Sequence, residues 1–461
     1  MPLMTIKPFP LYAHTGPPAE LWPSLRARYP SGIAPVMLDP YTRAWLLLSW
    51  ETNKQVFRDP LEVYSVDPRW WREGTDGTVP ETSGLKAIYR PRDNARHHDG
   101  ARHRHYRQAL ENALGAIDQR RLIAEVGEAA DLLVARFAAR GWADLIEDYA
   151  AQLSAMALTR LLGLDDETGA RACTAMRQLW DGGGGGDALA GWYDLYAVLA
   201  ESAKHQRDVP GDGVIAGLID AGHTDEEVAD QASLVVSVTH DPGAHLIGNT
   251  MRALLTDRTL RGEVWGARTR TADALDLTLV RDTPMRTLIG RWPRAEHRIG
   301  DYTVHQGDMV VFGLESANQD LIDKSGITHP QGAPAYIACD THALGAGTRA
   351  HLAWGVGAHQ CPHNSRDIAT TIAEHAIDRL LAQLPDMALA VDSTALVRRM
   401  SLTINGLERL PVQFQPTTIT KGQTWQSPAR PSPSHPAPAT PTSHRTSSPM
   451  ARLLKWIFPE G

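Results

Sequence analysis

The sequence predicts a mainly α-helical fold with a small β-sheet region, and three observations carry this. From about residue 100 to 260 apolar residues recur at spacings of three and four, as in RRLIAEVGEAADLLVARFAARG, the pattern of helices that each bury one face. Strand-like runs are few and short: APVML and AWLLLSW near the start, YTVHQGDMVVFGLES, and PVQF near residue 411. The chain has 461 residues, 43% of them hydrophobic, enough to bury one large core or two or three ordinary ones.

Gly141 is expected to end the helix that precedes it. DGGGGG at 181–186 lacks both a preceding strand and a following Lys-Ser/Thr, so it reads as a connector and not as a phosphate loop. SANQD at 316–320 reads as a turn, and SRDIATTIAEHAIDRLLAQL after Cys361 as a strong helix. Beyond Phe414 the chain turns rich in Pro, Ser and Thr and cannot bury enough apolar surface to fold. The expected organisation is a single large domain over 1–414, a disordered tether over 415–449 and a short amphipathic segment, MARLLKWIFPEG, at 450–461. That segment reads either as a frayed terminus or as a docking peptide for a partner or a membrane surface.

Cys173, Cys339 and Cys361 are too few for a disulfide framework, and MPLMTIKPFPLYAH lacks a charged start and an apolar stretch, so a cytoplasmic setting is expected. No apolar run approaches the roughly 20 residues of a transmembrane segment. Forty-six basic against 53 acidic residues give a net charge of −7, which argues against nucleic acid as a partner, with a local basic exception from Arg90 to Arg107.

AHLAWGVGAHQCPH at 350–363 places Trp354, Gly357, His359 and Cys361 in the pattern aromatic-x-x-Gly-x-His-x-Cys, directly before a helix. The positive end of that helix is expected to favour thiolate over thiol and to lower the cysteine pKa. A zinc corner would need four ligands, and His359, Cys361 and His363 lack paired Cys-x-x-Cys or His-x-x-x-His spacing. An inert buried cysteine explains neither the glycines nor the helix start.

The stretch resembles the haem-binding loop of the cytochrome P-450 family, in which a cysteine thiolate ligates haem iron. DGARHRHYRQALENAL at 99–114 resembles the family's C-helix, and GRWPRAEHRIGDYTV at 290–304 the strand after its K-helix. The resemblance covers nearly the whole body. It implies the cytochrome P-450 fold and haem b, with Cys361 as metal ligand and His103, Arg107, Arg291, His359 and Trp354 as cofactor-binding residues. SVDPRWW, HLIGN, RDTP with LIGRW, and RAHLAWG look most similar to the actinobacterial conservon-associated subgroup.

Three departures touch the catalytic apparatus. LVVSVTHDPGAHLIGN supplies the acid of the oxygen-binding I-helix as Asp241 but has Pro242 where the family has threonine, leaving Thr239, one turn earlier, as a substitute. Leu277 and Val280 stand where the K-helix has Glu-x-x-Arg, and no arginine lies in 325–348 to serve as third partner. Cys361 is followed by Pro362 and His363, where the family has glycine two residues after the cysteine.

The resemblance implies a monooxygenase, an oxidoreductase inserting one oxygen atom from O2 into a small apolar substrate with electrons from ferredoxin and ferredoxin reductase. Asp241 and Thr239 are its candidate catalytic residues, and the basic run near the C-helix is a docking face for the acidic donor. The alternative is a non-hydroxylating haem-binding sensor or scaffold in a complex with a small GTPase. The B–C loop, roughly 68–98, is where substrate selection is expected.

Overall fold

A computed structural model describes residues 7–14, 18–181, 186–266, 268–324 and 351–419. Glycines 182–185, the whole stretch 325–350 with Cys339, the tether from residue 420 and the 450–461 segment lie outside the described residues.

The helical prediction holds, and its centre is one helix, Asp225–Thr256, packed against Ala151–Leu162, Gly186–Asp208, Thr271–Arg281 and His363–Gln383. Its start is a capping box. The Thr224 hydroxyl accepts from the Glu227 amide at 3.2 Å, and the Glu227 carboxylate accepts from the Thr224 amide at 3.0 Å. Asp225 and Glu226 add favourable charge to the first turn. The same Glu227 accepts from the Tyr106 hydroxyl at 2.7 Å, which fixes helix Gly100–Gly115 against the central one. Gly141 sits at φ +76 after the turn Ala138–Arg140, as expected of a helix stop.

A six-stranded sheet lies to one side, in the order Phe9–Pro10, Ile33–Met37, Arg43–Leu47, Val310–Phe312, Leu288–Pro293, Tyr64–Ser65. Ala34, Val36, Leu46 and Val311 pack on one face, and Ile33, Trp45, Leu47 and Phe312 on the other. Both faces are covered, which is why AWLLLSW is a continuous apolar run and not an alternating one. The register shifts between Ile289 and Arg291, turning Arg291 inward from its strand.

SANQD is not a turn: it lies inside helix Leu314–Lys324, whose first residues close the run read as strand. Ser316, Asn318 and Asp320 within it are buried and bonded at long range. Asn318 donates to the Leu279 carbonyl at 2.9 Å, and Asp320 accepts from the Trp50 amide at 3.0 Å. Turn-like composition here reflects tertiary hydrogen bonding. Past Phe414 the chain stays bonded to the body, through the Gln415 amide to Asp386 at 2.7 Å and the Thr417 amide to the Ala138 carbonyl at 3.0 Å.

Val280 is buried and Leu277 packs against the helical core, so the Glu-x-x-Arg positions are filled with apolar side chains. Next to them lies an ionic network that the sequence does not announce. Asp282 accepts from Arg252 at 2.7 Å and Arg398 at 2.9 Å, and Asn405 donates to it at 3.0 Å. Among the described residues no helix is long and apolar enough to cross a membrane.

Candidate functional site

The segment from His351 to Cys361 reaches helix His363–Gln383 through a succession of turns, with Pro362 as N-cap. The Cys361 amide donates to the Trp354 carbonyl at 2.8 Å and the Gln360 amide to the Gly357 carbonyl at 3.1 Å. Trp354 itself packs against the helical core. Gly357 sits at φ +88 so close to Phe57 that an added Cβ would lie 2.7 Å from the Phe57 carbonyl oxygen, so the loop requires glycine there. Arg107 ties the loop from the other side: its guanidinium donates to the Ala358 and Gln360 carbonyls and pairs with Glu111 at 2.8 Å.

Burial pushes the Cys361 thiol pKa up, against a weaker pull from Arg366 and Arg107. This corrects the expectation of a lowered value. The helix begins two residues later, at His363, so the thiol lies outside the turn where the dipole acts and desolvation wins.

Three of the predicted side chains converge beside this loop. The His103 ring lies on the His359 ring with centroids 3.9 Å apart, and His359 Nε2 is 3.7 Å from Asp99. Burial lowers the His103 pKa to about 3, with His359 and Arg107 adding to the shift. Burial also favours neutral His359, while Asp99 opposes it. Arg291 is only 8% exposed, donates to the Gly290 carbonyl at 3.0 Å and lies 5.3 Å from the Phe312 ring centre. It has no carboxylate partner among the described residues. Burial lowers the Arg291 pKa to about 10 against the pull of Asp99 and Asp59. With no carboxylate bonding it directly, the arginine and the two imidazoles beside the half-buried Cys361 fit a ligand that brings carboxylates and a thiolate-binding metal.

On the central helix Asp241 is buried. Both its oxygens accept from Arg399 at 3.1 Å, and His245 Nε2 lies 3.7 Å away. Burial lowers the His245 pKa to about 4; Asp241 opposes the shift, and the charges of Arg399 and Arg398 add to it. Thr239 is half-buried and its hydroxyl makes no hydrogen bond among the described residues. Val238 is 51% exposed in the middle of this mostly buried helix. Arg399 was not singled out from the sequence; the paired arginines at 398–399 were its only signal.

No family model matches the chain. Among curated proteins it is 26% identical over 383 residues to the vitamin D(3) 25-hydroxylase of Pseudonocardia autotrophica, covering 81% of this chain and 88% of that one. It is 25% identical to the cytochrome P450 monooxygenase PikC of Streptomyces venezuelae, over 88% of this chain and 91% of the relative. Among solved structures, CYP154C4 from a Streptomyces species superposes with a TM-score of 0.75 at 22% identity, over 88% of this chain and 98% of its own. CYP154A1 from Streptomyces coelicolor gives 0.72 at 23%, over 88% and 99%. The chain has the cytochrome P450 fold, and its sequence is similar to those of actinobacterial cytochromes P450.

Haem b with an axial cysteine thiolate is the cofactor of cytochromes P450. The departures of this chain from the cytochrome P450 pattern are absorbed locally. The His363 side chain is 85% exposed and reaches Asp367 at 3.2 Å, so it points away from the loop. Pro242 lies within an unbroken helix and leaves the Val238 carbonyl without its usual amide donor.

Proposed function

We propose that this cytochrome P450 is a haem-thiolate monooxygenase that inserts one oxygen atom from O2 into a small apolar substrate, using electrons from ferredoxin and its reductase in the cytoplasm. The observation that carries the reading is the cysteine loop itself: a thiol at a pinned loop end, with a buried guanidinium that bonds no carboxylate and two imidazoles in contact beside it. Haem with an axial thiolate supplies the oxygen-activating chemistry.

In this reading Cys361 is the metal ligand, with His103, Arg107, Arg291 and His359 on the cofactor's carboxylates and Trp354 holding the ligand's amide. Asp241 accepts and releases the proton on the substrate side, with Arg399 setting when it is free to do so, and Thr239 offers the hydroxyl that Pro242 lacks. Val238 and Met400, 51% and 59% exposed, present apolar surface to the substrate. The basic run from Arg90 to Arg107 is the docking face for an acidic donor. The phrases SVDPRWW, HLIGN and RAHLAWG support a likeness to the conservon-associated subgroup.

Coupling is the test. With a surrogate ferredoxin system and a lipid and macrolide library, product formed per NAD(P)H consumed should be measurable, and Pro242→Thr should raise it by restoring a hydroxyl beside Asp241. The substitution also removes a helix-interior proline that costs about 3 kcal/mol, so the melting temperature should rise with it. The second reading, a sensor or scaffold bound to a small GTPase, is favoured only by the Pro242 substitution. It predicts no product with any substrate and no gain from Pro242→Thr.

A further inference from the structure

Tyr64 lies where the short strand Tyr64–Ser65 meets strand Leu288–Pro293, opposite Pro293 and two residues along that strand from Arg291. Its residue is 8% exposed, in one apolar cluster with Phe57, which backs Gly357, and Phe312, which lies under Arg291. The Tyr64 hydroxyl reaches His297 Nε2 at 2.5 Å, with the two rings edge to face and their centres 5.0 Å apart. The other ring nitrogen settles which way that bond runs. His297 Nδ1 lies 3.3 Å from the Ala295 carbonyl, which can only accept, so Nδ1 carries the ring proton and Nε2 is left to accept from the phenol.

Burial raises the Tyr64 pKa, and the neighbouring Asp59 carboxylate raises it further, so the proton stays on the phenol unless a base takes it as the oxygen loses charge. His297 is that base, and it is half-buried, with a face open to water. Satisfying a buried phenol does not require an imidazole. The Tyr149 hydroxyl, wholly buried, is satisfied by the Ala376 carbonyl at 2.6 Å, which cannot keep a proton, whereas His297 can. The residue after Tyr64 leads to the cofactor site: the Ser65 hydroxyl donates to Asp99, which lies 3.7 Å from His359 Nε2.

We propose that Tyr64 and His297 form a proton-coupled redox pair that returns one electron to a haem oxidised by peroxide when no substrate is there to react. The proposal rests on the haem-thiolate reading. The phenol O–H bond breaks, its proton forms an N–H bond at His297 Nε2, and the electron reduces the peroxide-oxidised haem by one equivalent. A neutral tyrosyl radical remains. One electron from a soluble reductant, with the proton held on His297, restores the phenol.

Haem-loaded full-length chain is mixed with hydrogen peroxide and frozen for electron paramagnetic resonance, while bleaching of the Soret band is timed in parallel. The chain has 11 tyrosines, so variants assign the signal. Wild type should give a tyrosyl signal that Tyr64→Phe, which keeps the apolar ring, loses, with haem bleaching severalfold faster in that variant. His297→Gln keeps a hydrogen-bond acceptor but takes up no proton at neutral pH, so most of the signal should go there too. A signal unchanged in either variant overturns the proposal, as does equal bleaching in wild type and Tyr64→Phe. The carbon monoxide spectrum of the same wild-type sample separates the two failures: without a red-shifted band the functional reading fails, and with that band but no tyrosyl signal the proposal alone is overturned.

Discussion

Asp282→Ala should lower the folding stability by about 3–5 kcal/mol, the cost of leaving buried cations without their partner. Arg252 and Arg398 both point at Asp282, their side chains 6% and 22% exposed, and Asn405 and Asn249 complete the network through Asp282 itself and its carbonyl. Equilibrium urea unfolding measures the loss. The same residue predicts a pH step. Burial alone would raise its pKa, but Arg398 and Arg252 hold it at about 2 against the usual 3.8. A depressed carboxylate pKa stabilises the fold above the unfolded value, and that contribution is lost as pH falls from about 4 towards 2. The step should be missing from Asp282→Ala. A variant with wild-type urea midpoint and acid profile would show the network to be dispensable.

Gly357→Ala should empty the haem site while leaving the fold. At φ +88 the alanine is strained, and its Cβ would lie 2.7 Å from the Phe57 carbonyl oxygen and 3.1 Å from the Arg58 Cα, both backbone atoms that cannot rotate away. The loop must move, and Cys361 moves with it because its amide is clipped to Trp354. Haem content per protein should drop severalfold with the far-ultraviolet circular dichroism unchanged. Gly355→Ala is the milder comparison: it shares the left-handed backbone at φ +67, but its nearest contact is 3.4 Å. Equal haem content in Gly357→Ala and wild type would mean that the loop is not held as described.

The parts of this molecule legible in its sequence are those written in short windows. The Cys361 loop, helix Gly100–Gly115, strand Leu288–Pro293 and the apolar strands of the sheet each carry a local pattern of spacing, glycines or periodicity. The parts that were not legible depend on residues far apart in the chain. Asp241 meets Arg399 across 158 positions and Asp282 meets Arg398 across 116, and no local pattern predicts either pair. SANQD was misread because buried Asn318 and Asp320 have the composition of a turn while bonding distant backbone. The Cys361 shift was misread because a helix N-terminus is visible in sequence but the depth of burial is not.

The central claim, sulfur on iron at Cys361, is tested most directly by the absorption spectrum of the reduced carbon monoxide complex. Freshly purified wild type should show a strongly red-shifted Soret band, and Cys361→Ser should lose it. An unshifted band in wild type, or a shifted band that survives Cys361→Ser, would contradict the account.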